Sequence, residues 1–499
     1  MKELLEINNL MYETPVDISA VSNSTLNTYN FSPNSYENSN GGEIMQVEFQ
    51  EGLDFVEGNE SYIKLKLRVN ITVNPANYPF FSFGRNLATY RSFNSGASVL
   101  NLIRTVELVS KDGNTFFRED LKNQLQCLRE YKINEARKNY LGIMGCISQN
   151  SSQGVGVTYS SDQNYRQING FPTFPTNQDI TFLIPLSEIS PFFSTAQLIH
   201  PKFLTGSVLR LTLEKAYVGL EILSTSRTPI LFTDPLSYNF SNVAVILSEK
   251  ELYKEVEDKI THQMKTKGLN YPYYQSLNTV FNIPQLDYTN ESFVFPINLS
   301  AAKIKYLAVK PTYLYTLSVG QQPGTYPMSS VTTWQDFSNN IVLPDDVNDA
   351  QFSMRVRLGN KVYPENYQIS KIPDFYNLTT YALNNISFSS CEDVDVYKIK
   401  NKQAPCCVAG DFYAYKNLLI QSPNSNRNSG GLVWALDFER SQAVSNGGLS
   451  TNQERLLTLE INNYSQISTN ANGPICLVVS VQFMTVATLF GDGQIAVNK

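Results

Sequence analysis

Between Ser61 and Val73 the chain alternates without a break. Ile63, Leu65, Leu67, Val69, Ile71 and Val73 take every second position, and Lys64, Lys66, Arg68, Asn70 and Thr72 fill the gaps. A pleated strand sorts these two sets onto opposite faces, one apolar and one polar, whereas a helix scatters both. At about 3.4 Å per residue the run extends on the order of 44 Å, well beyond the usual strand. It reads as a wall strand of a tall antiparallel sandwich, with its cationic face turned to water or to another subunit. Ahead of it Met45, Val47 and Phe49 alternate after Gly41-Gly42, and Glu57-Gly58-Asn59 reads as the turn that joins the two strands into an antiparallel pair.

The same alternation recurs along the chain. Val106 and Leu108 lead into Lys111-Asp-Gly-Asn, a tight-turn signal with Gly113 free to take positive φ. Strands are predicted through Ile180 to Leu186, Leu209 to Leu213 and Val243 to Leu247. In the second half they fall near Ser292 to Ile297, Ile304 to Val309, Phe352 to Leu358, Leu432 to Phe438, Leu457 to Ile461 and Leu477 to Leu489. Helical spacing appears twice. Leu121, Leu125 and Leu128 sit within a helix predicted over Arg118 to Lys138, and Leu252, Val256, Ile260 and Met264 follow the capping-box pattern Ser248-Glu-Lys-Glu251 before Gly268 stops the run. Residues 147 to 178 and the stretches at Gly320, Pro344 and Ser422 are polar and rich in Gly, Pro, Ser and Asn, as long loops are. Residues 1 to 41, with their Asn, Ser, Thr and Tyr, read as an arm that is loose until it meets a partner. Two successive blocks of short strands imply two β-sandwiches, and no sequence repeat links them.

The chain of 499 residues exceeds one ordinary core and predicts two to four domains. With 42% apolar and only 17% charged residues it is globular, with a large uncharged polar surface. Its 28 Phe and 29 Tyr suit sheets and subunit interfaces. A net charge of -6 gives nucleic acid no general attraction. Met1 to Met11 lacks the pattern of a signal peptide, and no apolar run reaches membrane-spanning length, so a cytosolic origin and a soluble product are expected. Cys127, Cys146, Cys391, Cys406, Cys407 and Cys476 show no CxxC spacing and read as reduced thiols, with the neighbours Cys406 and Cys407 packed as small apolar groups.

Reactive constellations are scarce. Only His200 and His262 occur, which leaves little for a His-based triad or a multi-His metal site, and both read as structural. Neither GxxxxGK[ST] nor GxSxG is present. Asp345, Asp346 and Asp349 offer oxygen ligands after Pro344 but fail the EF-hand spacing, so they read as a solvated acidic loop. Lys64, Lys66 and Arg68 form a basic stripe better suited to a solvated or interface face than to phosphate binding. A sugar-binding groove would need exposed aromatics beside a carboxylate pair. Only Trp334 and Trp434 exist, and Trp434 falls in a strand pattern and is expected to be buried.

The order and spacing of certain segments resemble the double jelly-roll major capsid proteins of double-stranded DNA viruses, particularly those of virophages and polinton-like elements. They are Phe55-Val-Glu-Gly-Asn-Glu-Ser-Tyr-Ile, Leu102-Ile-Arg-Thr-Val-Glu-Leu-Val-Ser-Lys-Asp-Gly-Asn followed by the predicted Leu121 helix, Phe203-Leu-Thr-Gly-Ser-Val-Leu-Arg-Leu-Thr-Leu, the strand-to-helix passage ending at Gly268, Met354-Arg-Val-Arg-Leu-Gly-Asn-Lys-Val-Tyr-Pro, Leu432-Val-Trp-Ala-Leu-Asp-Phe and Leu477 to Leu489. Together they cover most of the chain from about residue 42 onward.

The resemblance implies an all-β chain of two consecutive eight-stranded jelly rolls with a few short helices. Residues 1–41 would be a flexible arm, 42–247 the first jelly roll, 248–267 a helical connector and 268–499 the second jelly roll. It further implies a virion component made in the host cytoplasm, a homotrimeric, pseudo-hexagonal capsomer that tiles an icosahedral shell beside neighbouring capsomers, penton and minor capsid proteins. No catalytic, cofactor-binding or metal-ligating residue is assigned, and no strong contact with nucleic acid. The competing readings are a penton or receptor-binding virion protein, and a β-sandwich carbohydrate-binding protein or enzyme.

Overall fold

The computed structural model describes residues 20–33, 35–38, 42–72, 74–83, 99–122, 167–168, 171–172, 174–194, 198–223, 229–230, 236–283, 292–317, 332–335, 353–363, 434–438, 450–451, 456–462 and 475–498. The alternating stretch lies in strand β4 (Phe55–Asn70). Ile63, Leu65, Leu67 and Val69 are at most 1% exposed, while Lys64 and Arg68 face solvent from the opposite side. The strand starts earlier than its alternation, however, and takes in Glu57-Gly58-Asn59, the predicted turn. Gly58 serves close approach instead: a Cβ there would run into the main chain of Phe193, in the 3-10 turn Pro191–Ser194 that crosses β4. The strand β3 (Ile44–Glu48) therefore does not pair with β4.

In the first half, β4 pairs on one side with β11 (Ile180–Pro185) and on the other with β15 (Ser237–Leu252), and β1 (Val21–Asn30) covers the far edge of β15. β2 (Ser35–Asn38) continues along the same edge of β15. The facing sheet runs β3, β12 (Val208–Leu213), β6 (Ile103–Val109), β7 (Thr115–Glu119). Buried side chains of both sheets, among them Ile63, Leu65, Met45, Val47, Leu108 and Leu211, make one core. The β6–β7 turn is the expected one, with Gly113 at φ 81 and its N–H donating to Ser110 O at 2.9 Å. A smaller sheet of β10 (Phe174–Pro175), β5 (Phe80–Phe83), β13 (Leu220–Leu223) and β14 (Pro229–Ile230), and the pair β8 (Gln167–Ile168) and β9 (Phe171–Pro172), complete this half.

Three expectations are corrected here. Arg118 and Glu119 end strand β7 rather than open a helix, and Leu121 sits at φ 53; Leu125 and Leu128 lie outside the described residues. Ser248 is no helix cap, because β15 runs on to Leu252. The Ser248 N–H donates to Ser61 Oγ at 3.0 Å and its hydroxyl donates to Glu60 at 2.8 Å. The polar segment from Val21 to Asn38, expected to be part of a loose arm, pairs with β15 of its own chain; residues 1–19 lie outside the described residues.

After β15 comes the helix Lys254–Lys267, capped at its start by Tyr253 without a side-chain bond. Val256, Ile260 and Met264, spaced by four, are buried. Glu255 and Glu257 lie in its first turn and Lys265 and Lys267 in its last, the arrangement that the helix dipole favours. Gly268, at φ 80, ends it as predicted.

In the second half, β16 (Leu269–Ile283) pairs along its full length with β24 (Ile475–Leu489). Next comes β18 (Ile304–Leu317), whose other edge takes β22 (Trp434–Asp437) and β19 (Thr332–Gln335) in succession, while β25 (Ile495–Asn498) adds to the end of β24. The facing sheet runs β17 (Ser292–Ile297), β23 (Leu457–Asn462), β20 (Ser353–Leu358), β21 (Lys361–Tyr363). Leu307, Val309, Met354, Val356, Leu459, Val479 and Val481 form its core.

The two halves share one strand order. Taking β1, β3, β4, β6, β7, β11, β12 and β15 as first to eighth, the sheets run first-eighth-third-sixth and second-seventh-fourth-fifth. The strands β16, β17, β18, β20, β21, β22, β23 and β24 repeat both sequences. Eight strands wound in this way are a jelly roll, so the chain is an all-β double jelly roll. The first strand of the first roll is thus β1, ahead of the expected boundary at residue 42, and its last runs past residue 247 to Leu252.

Candidate functional site

His200 packs in the fold, whereas His262 lies at the surface. His200 is 5% exposed, its ring meets Phe55 edge-on at 5.1 Å, and its Nδ1 accepts the Lys202 N–H at 3.2 Å, capping the short helix Pro201–Leu204. Burial, helped by the Lys202 charge, pushes its pKa down to about 4, so it is neutral at pH 7. His262 is exposed on the helix Lys254–Lys267. Asp345, Asp346, Asp349, Cys127, Cys146, Cys391, Cys406 and Cys407 lie outside the described residues, while Cys476, Trp334 and Trp434 lie in β24, β19 and β22. Among the described residues no three His, Cys, Asp or Glu side chains gather as a metal site would require, and no helix is long and apolar enough to cross a membrane.

One polar contact joins the two halves of the chain. Among the described residues β7 lies at the edge of its sheet, and main-chain carbonyls on it and just past it are met by side chains of β16. The Tyr273 hydroxyl donates to Phe116 O, Gln275 Nε2 to Arg118 O at 3.1 Å and Asn278 Nδ2 to Asp120 O at 2.6 Å. Nearby, the Tyr271 hydroxyl donates to Phe192 O at 3.1 Å, and its ring lies 4.8 Å from that of Phe192. Burial pushes the Tyr273 phenol well above its ordinary pKa, so it remains a donor. Tyr271, Tyr273, Ala487 and Leu489 join the core of the first half, so the two rolls are sealed along this line. Nothing in the Pro- and Tyr-rich sequence after Leu269 predicted this strand. Tyr271, Tyr273 and Gln275 at every second position were the available signal.

Two polar clusters lie on the sheets, one in each roll. At the end of the first roll, Glu249 is 1% exposed, accepts the Tyr29 hydroxyl at 2.7 Å and the Asp54 N–H at 3.1 Å, and lies beside Asp54 and Glu251, both exposed. Partial burial, with Glu249 and Glu251 nearby, pushes the Asp54 carboxyl above the usual range; burial and the bond to Glu249 push the Tyr29 phenol up as well. In the second roll, Glu460 lies between Arg355 at 2.5 Å and Arg357 at 2.7 Å. Burial alone would raise its pKa, but bonds from Arg357 and Arg355 outweigh that and hold it below the usual value. The basic stripe of β4 keeps Lys64 and Arg68 exposed, with Asp179 3.6 Å from Arg68.

No protein-family model matches the chain, and no curated protein is similar enough in sequence to match. Solved structures do match across nearly its whole length. The cryo-EM structure of the Sputnik virophage is 12% identical with a TM-score of 0.53, covering 97% of this chain and 90% of that one. The PBCV-1 virus capsid is 12% identical with a TM-score of 0.51, covering 98% of this chain and 99% of that one. PBCV-1 VP54, fitted into a reconstruction of Sputnik, is 12% identical with a TM-score of 0.50. At this identity the likeness is one of fold, and it extends over both rolls.

Proposed function

We propose that this chain is a major capsid protein whose trimers form pseudo-hexagonal capsomers in the shell of an icosahedral virus. The observation that carries this reading is the duplicated strand order. Two jelly rolls of one topology, sealed side by side by the β16–β7 contact, give a wedge with two similar lobes, and three wedges about a threefold axis present six lobes in a ring. Such an outline packs edge to edge with copies of itself. The fold it shares with the PBCV-1 capsid and the Sputnik virophage supports the same reading.

In this reading the rolls take residues 21–252 and 269–498, the helix Lys254–Lys267 joins them, and the partners are neighbouring capsomers, penton and minor capsid proteins. The protein works in the virion after synthesis in the host cytoplasm. It carries out no chemistry and holds no cofactor.

Light scattering on the purified chain tests this, followed by negative-stain images of the same sample. A particle of three times the 56.2 kDa chain mass with a hexagonal end-on outline is expected. A stable monomer at micromolar concentration would overturn the capsomer reading and return weight to a spike or a sugar-binding sandwich.

A further inference from the structure

We propose that β1 of one copy docks on the edge strand β21 of a second copy, repeating between chains the contact that β16 makes on β7 within the chain. This rests on the capsomer reading and names the surfaces through which its copies meet. β16 is the first strand of the second roll and β7 the fifth of the first. The counterparts are β1, the first strand of the first roll, and β21, the fifth of the second, and among the described residues each ends its own sheet. One chain thus makes one contact of this kind and displays both halves of another. A copy offers β1 to one neighbour and β21 to the next, a head-to-tail arrangement that closes into a ring when the rotation fits.

The faces agree. On β16, Tyr273 and Gln275 dock from the face that looks into the second sandwich, since Gln275 pairs beside Phe483 of that core. On β1 the matching face carries Asn23, Thr25 and Asn27 in step with Tyr29, whose ring meets Phe49 of the first core at 6.0 Å. Asn23, Thr25 and Asn27 are all exposed, and each is able to donate to a main-chain carbonyl as Gln275 does from that face of β16. The chemistry differs where it should. β16 is buried as the chain folds and uses tyrosines, whereas a strand that waits in water for a second molecule is better made of short polar residues.

Charge agrees as well. Exposed Asp54 and Glu251 lie beside β1, with Glu249 behind them. At β20 and β21, Arg355 and Arg357 share the carboxylate of Glu460, and Lys361 is exposed, so among the described residues this edge carries surplus positive charge. Opposite fields of this kind steer association and fix its register.

The test is the mass of the full chain by light scattering across a dilution series, for the parent, Glu251→Arg, Lys361→Glu and the double variant. The parent is expected to be a trimer, each single reversal to raise its dissociation constant about tenfold or more, and the double variant to recover most of that loss. A monomeric parent would overturn the capsomer reading itself. A trimeric parent with both single variants equally stable as trimers would overturn only the β1–β21 assignment. Should a reversal disturb folding, a second measurement decides. Thr25→Cys and Lys361→Cys chains are mixed, reassembled and treated with a short bismaleimide, with the parent as background. A cross-linked pair that needs both variants supports the contact, and its absence from intact trimers overturns it.

Discussion

The main-chain carbonyl of Phe193 lies where a Cβ on residue 58 would have to go, so Gly58 lets the turn Pro191–Ser194 lie directly on the long strand β4. Phe192 and Phe193 of that turn are fully buried, and Phe192 touches Tyr271 of the second roll. Gly58→Ala must push main chain apart and is expected to cost about 3 kcal/mol, read as a lower urea midpoint at unchanged slope. Gly113→Ala is the control. Its φ of 81 disfavours a side chain, but nothing lies within 4 Å of the added carbon, and the expected loss is about 1 kcal/mol.

His200 sets one limb of the stability profile. Its folded pKa of about 4 lies below the ordinary 6.5, so the unfolded chain takes up a proton first as the pH falls. The contribution is fully present above pH 6.5 and drains away toward pH 4, by up to about 3 kcal/mol. His200→Asn keeps an acceptor for the Lys202 N–H and removes the titration, so its melting temperature should fall less steeply across that window.

Glu460 acts further into acid. Its carboxyl is held below the usual 4.5 by Arg357 and Arg355, so its contribution stands above that value and is lost as pH falls through the lowered one. Glu460→Ala leaves two partly buried guanidiniums facing each other. A loss of about 1–2 kcal/mol at pH 7 is expected by denaturant titration, since both guanidiniums stay partly in water, and Glu460→Gln should fall between it and the parent.

Tyr273→Phe removes the donor that meets Phe116 O and leaves that carbonyl without its phenol partner. The expected cost is about 1–3 kcal/mol. Because the core continues across the seam, unfolding should stay a single transition by calorimetry and by tryptophan fluorescence together. Two separated transitions would show that the rolls unfold independently.

Where one face of a strand is apolar, the sequence announces it. β17 at Ser292–Ile297, the Lys111 turn and the stop at Gly268 fall where alternation and glycine place them. The errors have physical causes. Ser248-Glu-Lys-Glu251 matches a capping box, but the alternating strand continues through it, and pairing with β1 and β4 outweighs the local signal. Leu121 matched helical spacing from within an irregular turn just after β7. Gly58 looked like a turn because close approach and tight turning call for the same residue. β16 and β1 were missed for opposite reasons: Tyr and Pro on both sides blur the period of one, and the other buries almost nothing. The β16–β7 contact was beyond reach because its acceptors are main-chain carbonyls, which no side-chain pattern records.

The pairing of β1 with β15 also dictates a schedule. Ser22 bonds to the carbonyl of Glu251, 229 residues later, so the opening strand of this roll cannot take its place until the whole of the roll has left the ribosome. Through that interval a sticky hydrophobic strand would invite neighbouring nascent chains to pair with it. Serine, asparagine and threonine supply most of both faces of β1 and keep it dissolved while it waits, and with only Val21 and Tyr29 half-buried at its ends so late a closure is safe.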